Sequence, residues 1–173
     1  QKGDSDFLTA FSALSSTSNL RDTVTTPLDI VLVLDASGSM DDPMGRGDST
    51  KRIAALKAAA NSFIDKIAES NGKIADELQR HRVSIVKFSG NKSEWVGNDT
   101  YRSGGYTYNY SQVMKTMTTV DASGKDSLKS TVNSIRPAGA TQADYGLELA
   151  SSQLASSGRA GATKVVVFFT DGA

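Results

Sequence analysis

Five residues of this sequence carry oxygen ligands and stand just past the ends of predicted strands or just before a predicted helix. They are Asp35, Ser37, Ser39, Thr141 and Asp171. The first three form the pattern Asp-x-Ser-x-Ser, in which Gly38 lets the backbone bend and the spacing points both hydroxyls to one side. Carboxylates and hydroxyls are hard ligands, suited to Mg²⁺, Ca²⁺ or Mn²⁺ and poorly suited to Zn²⁺ or Cu²⁺. The pattern therefore predicts a site for a divalent cation.

Apolar or alternating segments are predicted as the strands that position these residues. In chain order they are Leu28–Leu34, Val83–Phe88, a short third segment at Ser93–Val96, and Lys164–Thr170. The first and last are near-continuous apolar runs, which is typical of strands buried on both faces. If these two strands are neighbours, their carboxyl ends bring Asp35 and Asp171 together at the edge of the sheet where open α/β folds bind ligands.

Segments with apolar residues at steps of three and four are predicted as helices. They are Lys51–Ser70, with Ser49 or Thr50 as its N-cap and Asn71-Gly72 at its end, Ser127–Ile135, and Gln142–Ser156. Asp41–Thr50 is predicted as a polar loop, and residues 97–111 as an excursion rich in Gly and Tyr. Strands that alternate with helices indicate an α/β fold whose mostly parallel sheet is covered on both faces.

Three stretches of the sequence resemble the parts of the metal-ion-dependent adhesion site of von Willebrand factor A domains. They are Asp35-Ala36-Ser37-Gly38-Ser39, Thr141 and Thr170-Asp171-Gly172. The strand that precedes the first stretch is also similar to that family, and the resemblance covers about residues 27–173. It implies a Rossmann-like, doubly wound, mostly parallel sheet with strand order 3-2-1-4 and one short antiparallel edge strand.

The resemblance also implies a role for each site residue. Ser37, Ser39 and Thr141 would contact the metal through their hydroxyl oxygens. Asp35 and Asp171 would act through water or by orienting the serines. An acidic residue of a protein ligand would then complete the octahedron around Mg²⁺, or around Ca²⁺ or Mn²⁺ in its place.

Length and composition fit one globular domain with a lead-in segment. The chain has 173 residues, 38% hydrophobic and 22% charged, with a net charge of zero and no cysteine, which excludes disulfides and thiolate metal sites. The charge balance gives no reason to expect nucleic acid or an anionic membrane as partner, and no apolar run approaches the ~20 residues of a membrane-spanning helix. Residues 1–26 are predicted to be a linker or a strand of a neighbouring Ig-like domain. Residues 27–173 are predicted to be a von Willebrand factor A domain that is C-terminally incomplete, truncated after its fourth strand.

Motifs of several enzyme classes are absent from the sequence, and we predict a protein without catalytic activity. A phosphotransferase of the haloacid dehalogenase type needs a second Asp two residues after Asp35, and that position is Ser37. Neither the Gly-x-x-x-x-Gly-Lys-[Ser/Thr] nucleotide loop nor the Gly-x-Ser-x-Gly elbow of serine hydrolases occurs. The one histidine, His81, is predicted to be a solvated or capping residue at the mouth of the second strand.

Two kinds of short motif carry a high risk of coincidental matches. Arg46-Gly47-Asp48 lies in the loop beside the predicted metal site, where integrin mimicry is one interpretation and coincidence in a Gly- and Asp-rich turn is the favoured one. Triplets that match the N-glycosylation signal begin at Asn91, Asn98 and Asn109. These triplets matter only if a eukaryotic secretory pathway makes the protein.

A cluster of tyrosines is a candidate ligand-contact surface. Tyr106, Tyr108 and Tyr110 would share one face of a strand, and Gly104-Gly105 precedes them. Tyr-rich, Gly-flexed loops suit protein recognition. A hairpin whose rings pack on the domain's own surface explains the same pattern, and both interpretations stay open.

The cysteine-free sequence and its first motif are similar to A domains of Gram-positive surface adhesins, including pilus-tip adhesins. That resemblance implies a secreted, cell-wall-anchored virulence protein that binds a host matrix or cell-surface protein through its metal, beside other domains of the same polypeptide. Two alternatives stay open: an intracellular A-domain scaffold that assembles an ATPase complex, and a structural pilus or stalk module. Nothing in this segment predicts membrane insertion.

Overall fold

The computed structural model describes residues 26–91 and 100–170 of the chain. The strands are β1 Leu28–Asp35, β2 Pro43–Gly45, β3 Asp48–Lys51, β4 Arg82–Phe88, β5 Thr100–Ser103, β6 Tyr106–Asn109, β7 Gln112–Thr119 and β8 Thr163–Phe169. The helices are α1 Arg52–Asn71, α2 Ala122–Ser134 and α3 Ala143–Ser157, and short 3₁₀ turns occupy Gly38–Asp41 and Glu77–Gln79. None of the helices in these described ranges is long and apolar enough to cross a membrane.

A four-stranded sheet in the order β7-β4-β1-β8 forms the centre of the domain. β1 pairs in parallel with β4 on one side and with β8 on the other, and β7 pairs antiparallel with β4. The prediction of a mostly parallel sheet in the order 3-2-1-4 with one antiparallel edge strand is therefore confirmed. That edge strand is not short, because β7 has 8 residues, as many as β1.

β1 lies in the middle of the core, and burial on both faces explains its near-continuous apolar sequence. Residues 30–34 are all 0% exposed. Ile30, Leu32 and Leu34 belong to one apolar cluster with residues of α1 and α2. Val31 and Val33 belong to a second cluster with residues of α3. Helices thus cover both faces of the sheet, as predicted.

α1 matches its predicted range to within one residue, but its predicted N-cap is wrong. Lys51 occupies the N-cap position and makes no side-chain capping hydrogen bond, because the residues before it belong to β3. The backbone N–H of Arg52 instead donates to the carbonyl of Asp42 at 2.9 Å. The predicted polar loop Asp41–Thr50 is partly a hairpin of β2 and β3. Gly72 follows α1 as predicted.

The strand β7 and the start of helix α2 differ from prediction. β7 was not predicted, since polar residues such as Lys115 interrupt its apolar positions and its pairing with β4 shifts register twice. The predicted short strand at Ser93–Val96 lies outside the described residues. α2 begins at Ala122, five residues before the predicted start, because Asp121 caps it by accepting a hydrogen bond from the N–H of Gly124 at 2.7 Å.

A buried ion-pair network holds the end of the sheet opposite to the predicted site. Asp29 is 0% exposed, and its carboxylate accepts hydrogen bonds at 2.8 Å from the guanidinium groups of both Arg82 and Arg159. The backbone N–H of Arg159 also donates to it, at 2.6 Å. Burial raises the pKa of Asp29, but the hydrogen bonds and the charge of Arg82 outweigh burial and lower this pKa to about 2. The folded protein therefore binds this proton more weakly than the unfolded chain does.

His81 is buried at the same end, 5% exposed, so the prediction of a solvated residue is wrong. Its Nδ1 accepts the N–H of Leu28 at 3.0 Å, which requires a neutral ring. Burial, and then the charge of Arg159, lower the pKa of His81. Asn71 fixes this segment, since its Nδ2 donates to the carbonyls of His81 and Val120 at 2.9 and 3.1 Å. The histidine is thus part of a structural brace.

We expect the free energy of unfolding to fall as pH drops from the ordinary Asp pKa of 3.8 to about 2, where the folded carboxylate is protonated. The Asp29 part of this loss is about 2 kcal/mol. In Asp29→Asn this contribution to the pH dependence is absent. Stability at neutral pH falls by about 3 kcal/mol, because Arg82 and Arg159 lose their shared counterion. Urea unfolding measured at neutral pH and across this acidic range tests both effects.

Asp65→Asn is the matched control, because Lys129 pairs with Asp65 at 2.9 Å on the exposed surface. An exposed pair contributes at most about 1 kcal/mol, so this variant keeps the wild-type pH dependence. Asp29→Asn with wild-type stability at both neutral and acidic pH would show that the network does not hold the fold.

Candidate functional site

The carboxylate of Asp35 organises the loop that follows β1. The side chain is 0% exposed, and its Oδ1 accepts hydrogen bonds from the N–H and the Oγ of Ser37 at 2.9 and 2.6 Å. Its Oδ2 accepts from Thr170 Oγ1 at 3.1 Å, which ties β1 to the end of β8. The carboxylate thus fixes the direction of the Ser37 hydroxyl.

The hydroxyl oxygens of Ser37 and Ser39 lie 3.1 Å apart. Two neighbouring ligands of an octahedral Mg²⁺, each roughly 2.1 Å from the ion, are about 3.0 Å apart, whereas the longer bonds of Ca²⁺ separate such ligands by about 3.3–3.7 Å. Ser37 Oγ donates its hydrogen to Asp35, which leaves its lone pairs to act as acceptors. The donor set therefore suits a hard cation such as Mg²⁺, and the 3.1 Å separation of the two hydroxyls, which is also that of a hydrogen bond between them, is compatible with this ion.

Backbone hydrogen bonds hold the loop that precedes Thr141 against the Asp35 loop. The N–H of Gly38 donates to the carbonyl of Gly139, and the N–H of Ala138 donates to the carbonyl of Ala36, both at 2.9 Å. Thr141 itself is exposed. The structure therefore brings two of the three predicted parts of the site to the same edge of the sheet, with Thr141 open to solvent.

The loop before α3 has a second anchor, the buried Ser89 that follows β4. The Ser89 hydroxyl lies within hydrogen-bonding distance of the carbonyls of Ala138 and Ala140, which share its single hydrogen, and the Ser89 carbonyl accepts the N–H of Gln142 at 2.9 Å. The neighbours of Thr141 on both sides are therefore fixed to β4. Sequence analysis did not identify Ser89, although it stands past a strand end as the predicted ligands do.

The third predicted part of the site, Asp171, lies outside the described residues. Phe169 pairs with Leu34 in the parallel register of β8 and β1, so Thr170 stands next to Asp35. Within residues 26–91 and 100–170, no group of three or more His, Cys, Asp or Glu side chains could hold a metal ion. The assignment of the five ligand residues stays a prediction.

Arg46-Gly47-Asp48 lies at the tip of the β2–β3 hairpin, and all three residues are exposed. Gly47 has a φ of +88°, which a tight turn requires and which favours glycine. The backbone N–H of Thr50 donates to Asp48 and lowers the pKa of this carboxyl. This exposed position is compatible with both interpretations of the tripeptide.

The tyrosine cluster is a hairpin of β5 and β6 in which the rings contact one another. Tyr101 stacks on Tyr108 with ring centroids 5.4 Å apart and meets Tyr110 at 4.8 Å. Tyr106 is 71% exposed. Tyr110 lies one residue past the end of β6, and its ring meets the same Tyr101 ring as that of Tyr108. Tyr108 and Tyr110 pack on the protein's own surface, whereas Tyr106 faces solvent.

Asn109 begins one of the N-glycosylation triplets, and the structure excludes that use. The side chain is 1% exposed, and its Nδ2 donates to the carbonyls of Ala36 and Arg136. A glycan would replace one of the two Nδ2 hydrogens and break at least one of these hydrogen bonds, and the buried amide leaves no room for a sugar. No local sequence pattern distinguishes this asparagine from a turn residue, because its partners are distant in the chain.

Comparison with known proteins identifies the class of this domain. The profile of the von Willebrand factor type A domain matches residues 30–173, so the chain belongs to that family. A search of curated proteins gave no match.

Several solved structures have the same fold. The PilB minor pilin from Streptococcus sanguinis matches with a TM-score of 0.61 and 19% identity, over 87% of this chain and 31% of that chain. The pilus adhesin SpaC from Lactobacillus rhamnosus GG matches with a TM-score of 0.57 and 24% identity, over 88% and 15%. The von Willebrand factor domain of the type V pili tip protein Mfa5 from Porphyromonas gingivalis matches with a TM-score of 0.52 and 19% identity, over 83% and 37%. The chain thus spans well under half of each.

Gly139→Ala should destabilise the protein more than Gly47→Ala, although both glycines have a φ of +88°. A Cβ at residue 139 would lie 2.4 Å from Tyr108 Cδ1 and 2.8 Å from Tyr108 Cα, whereas nothing lies within 4 Å of a Cβ at residue 47. We expect a loss of about 1 kcal/mol for Gly47→Ala from backbone strain alone, and of about 3 kcal/mol for Gly139→Ala. Chemical denaturation measures the two losses. Equal losses would mean that Tyr108 does not pack on the loop as described.

Proposed function

We propose that this domain is a metal-dependent adhesion module that binds an acidic residue of a protein ligand through Mg²⁺. The observation that carries the proposal is the 3.1 Å spacing of the Ser37 and Ser39 hydroxyls beside the buried Asp35. Thr141 would complete the protein's share of the ligands, and Asp171 would orient the site as Asp35 does. The same site could take Ca²⁺ or Mn²⁺ as the alternative hard cations.

The choice of ligands explains why such a site would attract a carboxylate. Serine and threonine hydroxyls are neutral, so a bound Mg²⁺ keeps much of its positive charge and can accept an anionic ligand from the partner. Asp35 acts through Ser37, whose hydroxyl it orients by a 2.6 Å hydrogen bond. The exposure of Thr141 leaves this edge of the sheet open to a macromolecule.

The cellular setting of the proposal comes from the names of the similar structures. They are a minor pilin, a pilus adhesin and a pili tip protein. From the Streptococcus and Lactobacillus proteins among them we infer an extracellular protein, cell-wall anchored in a Gram-positive bacterium, whose ligand is a host matrix or cell-surface protein. In this setting the domain works without catalysis and beside other domains of its polypeptide.

The exposed Tyr106 is the proposed second contact with the ligand. Tyr108 packs over Gly139, whose carbonyl holds Gly38, so the hairpin lies against the metal loops. Tyr106 belongs to the same strand as Tyr108 and presents a large ring to solvent. A tyrosine in this position offers apolar area and a hydrogen-bonding hydroxyl at low entropic cost.

Thr141→Val should weaken Mn²⁺ binding by tenfold or more and abolish adhesion to a panel of immobilised matrix proteins, because it removes a ligand oxygen and keeps the side-chain shape. Thr141→Ser, which keeps the hydroxyl, should retain both Mn²⁺ binding and adhesion. Asp35→Ala should also abolish adhesion, because it releases Ser37. Calorimetric Mn²⁺ titration and adhesion with Mg²⁺ or with EDTA are the measurements.

Thr163→Val is the control, since Thr163 is an exposed threonine at the start of β8, and the predicted metal site lies at the other end of this strand. It should leave Mn²⁺ binding and adhesion at wild-type levels. Adhesion that survives both EDTA and Thr141→Val would contradict the metal-dependent mechanism, whereas a wild type that adheres to none of the matrix proteins would favour a structural stalk module.

Tyr106→Ala should reduce ligand adhesion several-fold and leave Mn²⁺ affinity unchanged, because the ring contacts the ligand and not the metal. Leu78→Ala is the control, since Leu78 is 77% exposed and belongs to the 3₁₀ turn before β4, at the opposite end of the sheet. Surface plasmon resonance on a matrix protein that the wild type binds gives the ligand affinity of each variant, and calorimetry gives its Mn²⁺ affinity. If Tyr106→Ala binds as tightly as Leu78→Ala, the hairpin is not a contact surface.

A further inference from the structure

We infer that Asn109 is a positioning residue for the metal site, a role that rests on the proposed function. Its buried amide joins the loop after β1 to the loop before α3, which carry the predicted ligands of the metal. Nδ2 donates to the carbonyl of Ala36 at 3.0 Å and to that of Arg136 at 2.6 Å. This side chain therefore adds a further link between two loops that backbone hydrogen bonds also join.

The orientation of the Asn109 amide is fixed by chemistry. Lys87 is 0% exposed, and its ammonium group, which can only donate, lies 3.2 Å from Asn109 Oδ1. The carbonyls of Ala36 and Arg136 can only accept, so Nδ2 must face them. Both polar atoms of this amide thus have partners of the right kind, in a buried site where an unmade hydrogen bond is costly.

The backbone of Asn109 adds to the same link. Its N–H donates to the carbonyl of Ala138 at 3.2 Å, and its carbonyl accepts the N–H of Gly90 at 3.0 Å. Ala138 in turn donates to Ala36, whose carbonyl Asn109 also binds. Because Asn109 is the last residue of β6, the tyrosine hairpin, both metal loops and the end of β4 meet at this residue.

Asn71 provides a matched comparison within the same fold. It too is a buried asparagine, 2% exposed, whose Nδ2 donates to two carbonyls, those of His81 and Val120. It braces the opposite end of the sheet, away from the predicted ligands. Loss of either amide removes similar hydrogen bonds, but only Asn109 contacts the loops of the metal site.

The test compares Asn109→Ala with Asn71→Ala in the full-length protein by three measurements. These are the free energy of unfolding, the Mn²⁺ affinity by calorimetry, and amide hydrogen exchange in metal-free buffer. We expect both variants to lose stability, but only Asn109→Ala to bind Mn²⁺ 10–100-fold more weakly, the usual effect of losing a partner that orients metal ligands. Only Asn109→Ala should also lose exchange protection at the amides of Gly38 and Ala138.

Two results would overturn the inference. One is wild-type Mn²⁺ affinity and amide protection in Asn109→Ala, and the other is an equal loss of Mn²⁺ affinity in Asn71→Ala, which would reduce the effect to general destabilisation. If Asn109→Ala does not fold, Asn109→Ser, which keeps one donor, should give an intermediate Mn²⁺ affinity, and a wild-type value there counts against the role. A wild type that binds no Mn²⁺ would end the proposed function, while hydrogen exchange would still decide whether Asn109 holds the loops.

Discussion

A buried carboxylate at the carboxyl end of β1 is the constraint on which the site depends. A buried carboxylate must be surrounded by hydrogen-bond donors, and Asp35 accepts hydrogen bonds from Ser37 and Thr170. These hydrogen bonds fix the turn after β1 and join the end of β8 to it. The Ser37 and Ser39 oxygens reach their spacing as a result, and the loop before Thr141 is then fastened to the same turn by backbone hydrogen bonds.

The two ends of β1 use buried aspartates for different purposes. At one end Asp29 accepts from Arg82 and Arg159, so its charge is balanced and its low pKa contributes to stability. At the other end the hydrogen bonds described for Asp35 come from hydroxyl and backbone groups. The first arrangement is a structural ion-pair network, and the second orders the loop that carries predicted metal ligands.

The sequence was informative where burial or position along a strand leaves a local pattern. Burial on both faces makes β1 nearly all apolar, and the rule that ligands gather at the carboxyl ends of parallel strands pointed to Asp35, against whose loop the segment before Thr141 is held. It failed where structure depends on distant partners. β7 is an edge strand with a mixed apolar and polar pattern. The first backbone N–H of α1 donates to a loop carbonyl, and Asn109 donates to the carbonyl of Ala36, 73 residues away in the chain. Such contacts have no periodicity to detect.

The most direct test of the central claim is anomalous diffraction at the manganese edge from crystals of the protein grown with Mn²⁺. The account predicts one anomalous peak within bonding distance, roughly 2.2 Å, of the hydroxyl oxygens of Ser37, Ser39 and Thr141, with the Asp35 carboxylate still hydrogen-bonded to Ser37. A map with no peak at the end of β1, or with a peak bonded elsewhere on the domain, would contradict it.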